Sequence, residues 1–436
     1  MKKVGLFLLL SLLLAPLSKA QQAYQPSAQN LQSRTQFQDN KFGIFLHWGI
    51  YAMMARGEWI MNVENLNYQE YAKLAGGFYP SHFNADEWVS AFKAAGAKYI
   101  TLTSRHHDGF SMFGTRQSGF SVVDASPFQR DVVKELADAC HRQGLKIHFY
   151  YSLLDWSRTD YPWGSTGHGT GRPAETSKGD YNHYLDFMKG QLTELLTNYG
   201  EVGAIWFDGY WDQSGTPAFD WKLEELYSLI HRLQPGCLVG NNHHINPLPG
   251  EDIQIFERDL PGENKAGYSG AQDVSRLPLE TCETMNGSWG YNMSDTGYKS
   301  TRTLIQYLVN AAGRNGNLLL NIGPQPDGHL PAVSLERLKE MGEWLNVYGE
   351  TIYGTRGGMV APHEWGATTE KDGKLYVHIL NLKDKALFVP VGDRKVKKAV
   401  VFKDRTPVKM LKSASGVLLE LSEVPTDIDY VVELTF

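Results

Sequence analysis

Side chains able to bind, orient or protonate a substrate recur at the ends of short apolar runs. Asp208 closes the run Ala204-Ile205-Trp206-Phe207, and Gly209 ends it at once. So short an apolar run, bounded by glycine, reads as a buried strand of a parallel sheet. The C-terminal end of such a strand is where barrel and doubly wound folds place their chemistry. His47-Trp48-Gly49, Arg105-His106-His107-Asp108-Gly109, Tyr150-Tyr151-Ser152 and Asn241-Asn242-His243-His244 follow comparable runs, with Glu257 and Glu280 further along. A lone strand-end Asp is also a common turn former. Successive strand ends carrying His, Tyr, Trp and carboxylate are not explained by turns.

These residue types fit acid-base chemistry at a glycosidic bond. A retaining mechanism needs one ionised carboxylate as nucleophile and one protonated carboxyl as acid, about 5–5.5 Å apart. Asp208, held at a buried strand end, is the candidate for the first. A later glutamate such as Glu257 is the candidate for the second, kept protonated by the neighbouring charge and by burial. Histidine and tryptophan would take sugar hydroxyls and the apolar face of the ring. Trp206 and Asp208 share a strand face by the period of two. His106-His107 admits another reading, a barrel hydrolase with a His-bound metal. Adjacent strand residues point to opposite faces, however, and no HExxH or HxH spacing occurs, so no metal is expected. Glu58-Trp59, just after Gly57, is a charged-aromatic pair in a loop and by itself reads as solvated surface.

The elements that must position these groups alternate. Strands are predicted at 42–46, 99–103, 146–151, 204–207, 237–240, 253–256 and 318–322. Between them lie helix signals. Asn84 caps an acidic first turn, Asp86-Glu87, and an apolar stripe Trp88, Phe92, Ala95 stops at Gly96. Asp131 to Gln143 repeats the scheme with Gly144 as its stop, and 183–199, 221–233, 301–312 and 333–348 behave alike. Strand-helix alternation at this frequency means βα units around a parallel sheet, and their number favours an irregular (β/α)8 barrel. The stretch 247–278, rich in Gly, Pro and charge, reads as long loops. After about residue 354 short β-prone runs follow (374–380, 397–401, 416–421, 429–435), a small all-β sandwich. The expected organisation is a signal peptide over 1–20, a barrel over 21–354 and a sandwich over 355–436.

Composition bounds the rest. The 436 residues suffice for a large barrel plus a smaller module. Lys2-Lys3, the apolar stretch Val4 to Leu14 and Ser18-Lys19-Ala20 form a secretory signal, too short for a comfortable membrane span. Export to the periplasm or the extracellular space is expected, with no membrane span. Three widely spaced cysteines, Cys140, Cys237 and Cys282, are no disulfide framework. A net charge of -6 with acids and bases intermixed excludes a nucleic-acid partner. The chain's 11 Trp, 22 Tyr and 14 His suit sugar recognition.

The motifs resemble the α-L-fucosidases of glycoside hydrolase family 29 over roughly residues 36 to 355. The resemblance rests on KFGIFLHWG from Lys41, Gly57-Glu58-Trp59, Arg105 to Phe110, Tyr150-Tyr151-Ser152, Trp206 to Gly209, Glu280-Thr281-Cys282, Ser288 to Tyr291 and Asn317 to Pro324, in that order. It implies an irregular barrel with a C-terminal β-sandwich, acting on a fucosylated oligosaccharide or glycoconjugate with retention and without metal or other cofactor. By the same resemblance Asp208 is the nucleophile, and His47, His106, His107, Tyr150 and Trp206 form the fucose shell. Glu58 and Trp59 reach the sugar from a loop, and Trp289 is the wall against the fucose methyl. The acid/base is either Glu257 or Glu280, the latter in a motif whose usual Trp is Leu279 here. Where relatives offer an arginine to the sugar this chain has Asn241 to His244, with His243 as the stand-in. Cys282 packs behind the site. A non-catalytic fucose-binding protein on the same scaffold is the alternative; linkage and oligomeric state are not legible in these residues.

Overall fold

The computed structural model describes residues 24–216 and 218–436; the expected signal peptide lies outside them. Eight parallel strands form one sheet: β1 (Phe42–Leu46), β2 (Tyr99–Arg105), β3 (Lys146–Ser152), β4 (Ala204–Asp208), β5 (Leu238–Asn242), β6 (Gln254–Glu257), β7 (Leu279–Thr284) and β8 (Gly316–Ile322). Their order is β5-β4-β3-β2-β1-β8-β7-β6, and a single parallel bridge, Gly240 to Ile253, joins the two ends. The ring is therefore a barrel that is weakest between β5 and β6. No helix follows β5 or β6 within the described residues, so no crossover holds those strands in register.

Strand alternation sorts side chains between two layers. Ala204 and Trp206 join Phe45, Tyr99, Tyr150, Leu238, Ile255, Cys282 and Leu319 in an interior cluster, while Ile205 and Phe207 pack outward on the helical layer. A Cβ on Gly43 would stand 2.4 Å from the Tyr99 ring, so only glycine lets Tyr99 lie across the barrel. The helical signals are realised with their caps. Asn84 and Asp131 accept from the backbone N–H of Glu87 and Lys134, and Gly144 closes its helix in the left-handed region. The helices Tyr181–Asn198, Leu223–Leu233, Thr301–Gly313 and Ala332–Tyr348 match the predicted segments to within two residues or so at each end.

Among the barrel strands and the long helices packed on them, two elements differ from expectation. β7 was not predicted, because Leu-Glu-Thr-Cys-Glu-Thr alternates the wrong way for a strand with a dry interior face; Glu280 and Cys282 point inward. The helix Ala28–Asn40 also carries little periodic signal, burying only Asn30 and Phe37. Phe37 inserts against Tyr99, 5.3 Å between ring centroids, and its carbonyl accepts from Asn317 at 2.7 Å. This helix plugs the N-terminal end of the barrel.

Beyond the barrel lie two antiparallel sheets. One has five strands, including Lys374–Ile379 and Tyr430–Thr435; the other has three, centred on Val417–Glu420. They enclose a core of Leu375, Val377, Val389, Leu419, Val432 and Leu434, a small sandwich. The strands Gly366–Lys371, Ala386–Val389 and Lys409–Lys412 were not among those predicted.

Candidate active site

The C-terminal strand ends surround a cavity of about 450 Å³. Asp208, the last residue of β4, stands at its centre, and each of its oxygens is held. Oδ2 accepts from the Tyr150 hydroxyl at 3.0 Å and faces His107 Nε2 at 3.5 Å. Oδ1 accepts from Trp211 Nε1 at 3.2 Å and from Asn242 Nδ2 at 3.3 Å. Gly209, with φ +95°, turns the chain so that Trp211 doubles back over the carboxylate. Burial alone raises the pKa of Asp208. The hydrogen bond and charge of His107, the charge of His244 and the Gly209 N–H outweigh it and bring it to about 2. Asp208 is an anion at any working pH.

Glu257 ends β6 on the same rim. Its Oε2 accepts from Asn242 Nδ2 at 2.8 Å and contacts His244 Nε2 at 3.0 Å. One amide nitrogen therefore bonds both carboxyl groups. The two oxygens it touches are no more than about 6 Å apart, below the roughly 6.5–9.5 Å of inverting pairs. Glu280 sits elsewhere. It lies in the barrel interior beneath the cavity, where Oε2 accepts from the Tyr99 hydroxyl at 2.6 Å and Oε1 from Trp206 Nε1 at 2.9 Å. Burial pushes its pKa up to about 7 against those two hydrogen bonds. It lines no part of the cavity and instead fixes the tilt of the Trp206 indole.

The surrounding shell is neutral and aromatic. Asn321 donates Nδ2 to the Trp289 carbonyl at 2.7 Å, so its Oδ1 accepts from His47 Nδ1 at 2.6 Å. That assigns the proton of His47 to Nδ1 and leaves Nε2 as an acceptor for a hydroxyl. Burial lowers the pKa of His47 to about 3 and that of His106 well below the ordinary histidine range. His106 stacks on Tyr150, 5.4 Å between centroids, and Tyr150 on Trp206 at 5.6 Å. Trp59 lines the cavity and stacks on Trp211 at 5.6 Å. Glu58 is no solvated loop residue: it is 7% exposed, accepts from the Gly290 N–H at 2.7 Å and has its pKa raised by burial. Trp289 forms a wall, with the Arg258 guanidinium 5.1 Å over its ring.

Three expectations need correction. His243 does not reach the cavity; its Nε2 contacts both oxygens of Glu251 at 3.0 Å, outside the barrel. His244 takes the place at the rim, stacked on Tyr268 at 5.2 Å. Leu238, Gly240 and Asn242 share the inner side of β5; past the strand end the left-handed backbone at His244, φ +64°, sets its ring at the rim while His243 turns to Glu251. His106 and His107 do not point to opposite faces. β2 ends at Arg105 after a register shift, alternation no longer applies, and the rings lie 4.2 Å apart. Among the described residues these two belong to no set of three metal-ligand atoms. Cys282 lines the cavity floor rather than packing behind it, with burial raising its thiol pKa far above the usual range. Trp211 and Tyr268 were not singled out from sequence, because their loops have no period. The run 241–244 was, but with His243 as the residue to meet the sugar, whereas Asn242 and His244 line the cavity.

Comparison with known proteins shows the family of the chain. The alpha-L-fucosidase family model matches residues 11–350. Human plasma alpha-L-fucosidase is 31% identical over 398 residues, covering 82% of this chain and 79% of that protein. The alpha-L-fucosidase of Dictyostelium discoideum is 30% identical over 439 residues, 91% of this chain and 89% of its own. Among solved structures, alpha-L-fucosidase isoenzyme 1 from Paenibacillus thiaminolyticus superposes with a TM-score of 0.82 at 34% identity, covering 93% of this chain and 99% of that one.

Proposed function

The chain belongs to the α-L-fucosidase family of glycoside hydrolases, and from that premise we propose that Asp208 is its nucleophile and Glu257 its acid/base in the retaining release of terminal α-L-fucose. The observation that carries the pairing is the single Asn242 amide nitrogen bonded to both carboxyl groups. In the first step Glu257 donates its proton to the glycosidic oxygen while an Asp208 oxygen attacks the anomeric carbon. The aglycone leaves as an alcohol, and fucose is bound to Asp208 as an ester. In the second step Glu257, now ionised, takes a proton from water, which attacks the anomeric carbon and frees Asp208. The contacts of Glu257 with Asn242 and His244 both fall on Oε2, which leaves Oε1 to face the leaving group. Glu58, Trp59, His47, His106, His107, Tyr150, Trp206 and Trp289 would hold the sugar. His243 has no part in this reading.

A groove of about 260 Å³ continues past Trp59 and Trp289 beneath Arg258. We assign it to the sugar from which fucose is cleaved. The substrate is a fucosylated oligosaccharide or glycoconjugate. The basic and apolar segments ahead of Ala20 support export to the periplasm or extracellular space, with Gln21 as the mature N-terminus; Edman sequencing of exported protein would read it, and an intact Met1 would refute it.

The deciding experiment compares Asp208→Ala, Glu257→Ala and Glu280→Ala on aryl α-L-fucosides with good and poor leaving groups. Asp208→Ala should lose nearly all hydrolysis while staying folded. Glu257→Ala should lose about 10²–10⁴-fold on the poor leaving group, far less on the good one, and recover with azide. If that pattern belongs to Glu280→Ala instead, the assignment of Glu257 is wrong. Fucose binding without turnover in the unaltered protein would favour the non-catalytic alternative, which nothing in the site recommends.

A further inference from the structure

Away from the catalytic cavity, His82, Asp327 and His329 bring two imidazole nitrogens and a carboxylate oxygen within 4.8 Å of one another. Two loops supply them: the segment ahead of the helix Ala85–Ala94, and the turn after β8. Their backbones are stitched together. The His82 N–H donates to the Asp327 carbonyl at 2.9 Å, and a Cβ on Gly328 would stand 2.4 Å from the Phe83 nitrogen. The turn itself is closed by Gln325 N–H to the His329 carbonyl at 2.8 Å, and buried Trp48 donates Nε1 to the Gln325 carbonyl at 3.0 Å.

Within that frame the ligand atoms are aimed. Asp327 commits Oδ1 to the His329 backbone N–H at 3.0 Å, which turns Oδ2 toward both rings. Oδ2 lies 2.9 Å from His329 Nδ1 and 3.8 Å from His82 Nδ1. The two imidazoles stack at 4.1 Å between centroids, with both Nδ1 atoms on the side of Asp327 Oδ2. They open on a polar cleft of about 600 Å³ with room for water. The nearby cations are neutralised in pairs, Arg130 with Glu135 and Arg142 with Asp86, and do not repel a metal.

We propose that His82, Asp327 and His329 form a binding site for a divalent transition metal of the zinc type, completed by water from the cleft. Two neutral imidazoles and one carboxylate suit Zn2+, Ni2+ or Cu2+, and are a poor set for Ca2+ or Mg2+, which take oxygen. Bound there, the ion would clamp the segment ahead of the helix Ala85–Ala94 to the turn after β8. It lies outside the catalytic chemistry, so the proposal goes beyond the fucosidase reading and stands or falls separately from it.

The test is calorimetric titration of the full, chelator-stripped protein with Zn2+, alongside His82→Ala, His329→Ala and Asp327→Asn. One equivalent per chain should bind and raise the melting temperature, and each substitution should weaken that event about tenfold or more. Hydrolysis of an aryl fucoside by the variants should stay at the unaltered level, which reports that they are folded. Lack of saturable binding, or binding that persists unchanged in the three variants, would overturn the proposal. Cobalt distinguishes the geometry: the visible bands of a tetrahedral complex should vanish in His329→Ala.

Discussion

Glu280 is a buried carboxyl beneath the cavity, held by the Tyr99 hydroxyl and the Trp206 indole. Its folded pKa of about 7 stands above the ordinary 4.5, so the folded state holds a proton that the unfolded chain releases. The sign follows from linkage: stability is greatest below about pH 4.5 for this group and is lost as pH rises toward 7, then levels off. Glu280→Gln keeps the shape and cannot ionise. We expect its unfolding free energy, followed by urea titration across that range, to depend less on pH than that of the unaltered protein. Its turnover should fall through Trp206, without the leaving-group dependence expected of Glu257. Arg258 marks the opposite case, a side chain at the mouth that fucose itself need not touch. Arg258→Ala should leave kcat/KM for an aryl fucoside within about threefold while lowering it for a fucosylated oligosaccharide by about tenfold, a loss near 1.4 kcal/mol. Equal losses on both would place Arg258 at the fucose instead.

At the scale of elements, the site is a consequence of eight strand ends and the few loops that fold over them. β4 presents Trp206 and Asp208 on one side because the period of two leaves no choice. The same rule on β5 places Asn242 inward; beyond the strand end His243 turns to Glu251 and His244, in the left-handed region, reaches the rim. The plug helix acts from the far end of the barrel. Phe37 is 3% exposed and packs on Tyr99, whose hydroxyl holds Glu280 and through it Trp206. Phe37→Ala should therefore destabilise the fold by about 3–5 kcal/mol, read by chemical denaturation, while the catalytic cavity keeps its lining. A loss within about 1 kcal/mol would mean that the plug contributes little to the core.

For the molecule as a whole, barrel and sandwich share packing. Ala367, fully buried in the strand Gly366–Lys371, belongs to the barrel's apolar cluster and lies against Gly313, where a Cβ would come within 2.6 Å of it. Gln306, on the helix Thr301–Gly313, donates to the Leu380 and Ile428 carbonyls at 3.2 and 3.0 Å. Units joined through a common core should unfold together. Scanning calorimetry is expected to show one transition, and two well-separated transitions would contradict the shared core.

The alternation of apolar runs with capped helices determined the barrel, seven of its eight strand positions and the row of polar residues at the strand ends, because burial periodicity and helix caps are local properties of the chain. Motif order determined the family on the same local footing. Tertiary structure decided what depends on proximity between distant segments. It set Glu257 beside Asp208 through Asn242 and buried Glu280 beneath them, although the motifs offered either glutamate as the acid. It also brought Trp211 and Tyr268 over the cavity from loops without a period. A carboxyl's role follows from its solvation and its neighbours, and those are set by strands far apart in sequence meeting around one axis.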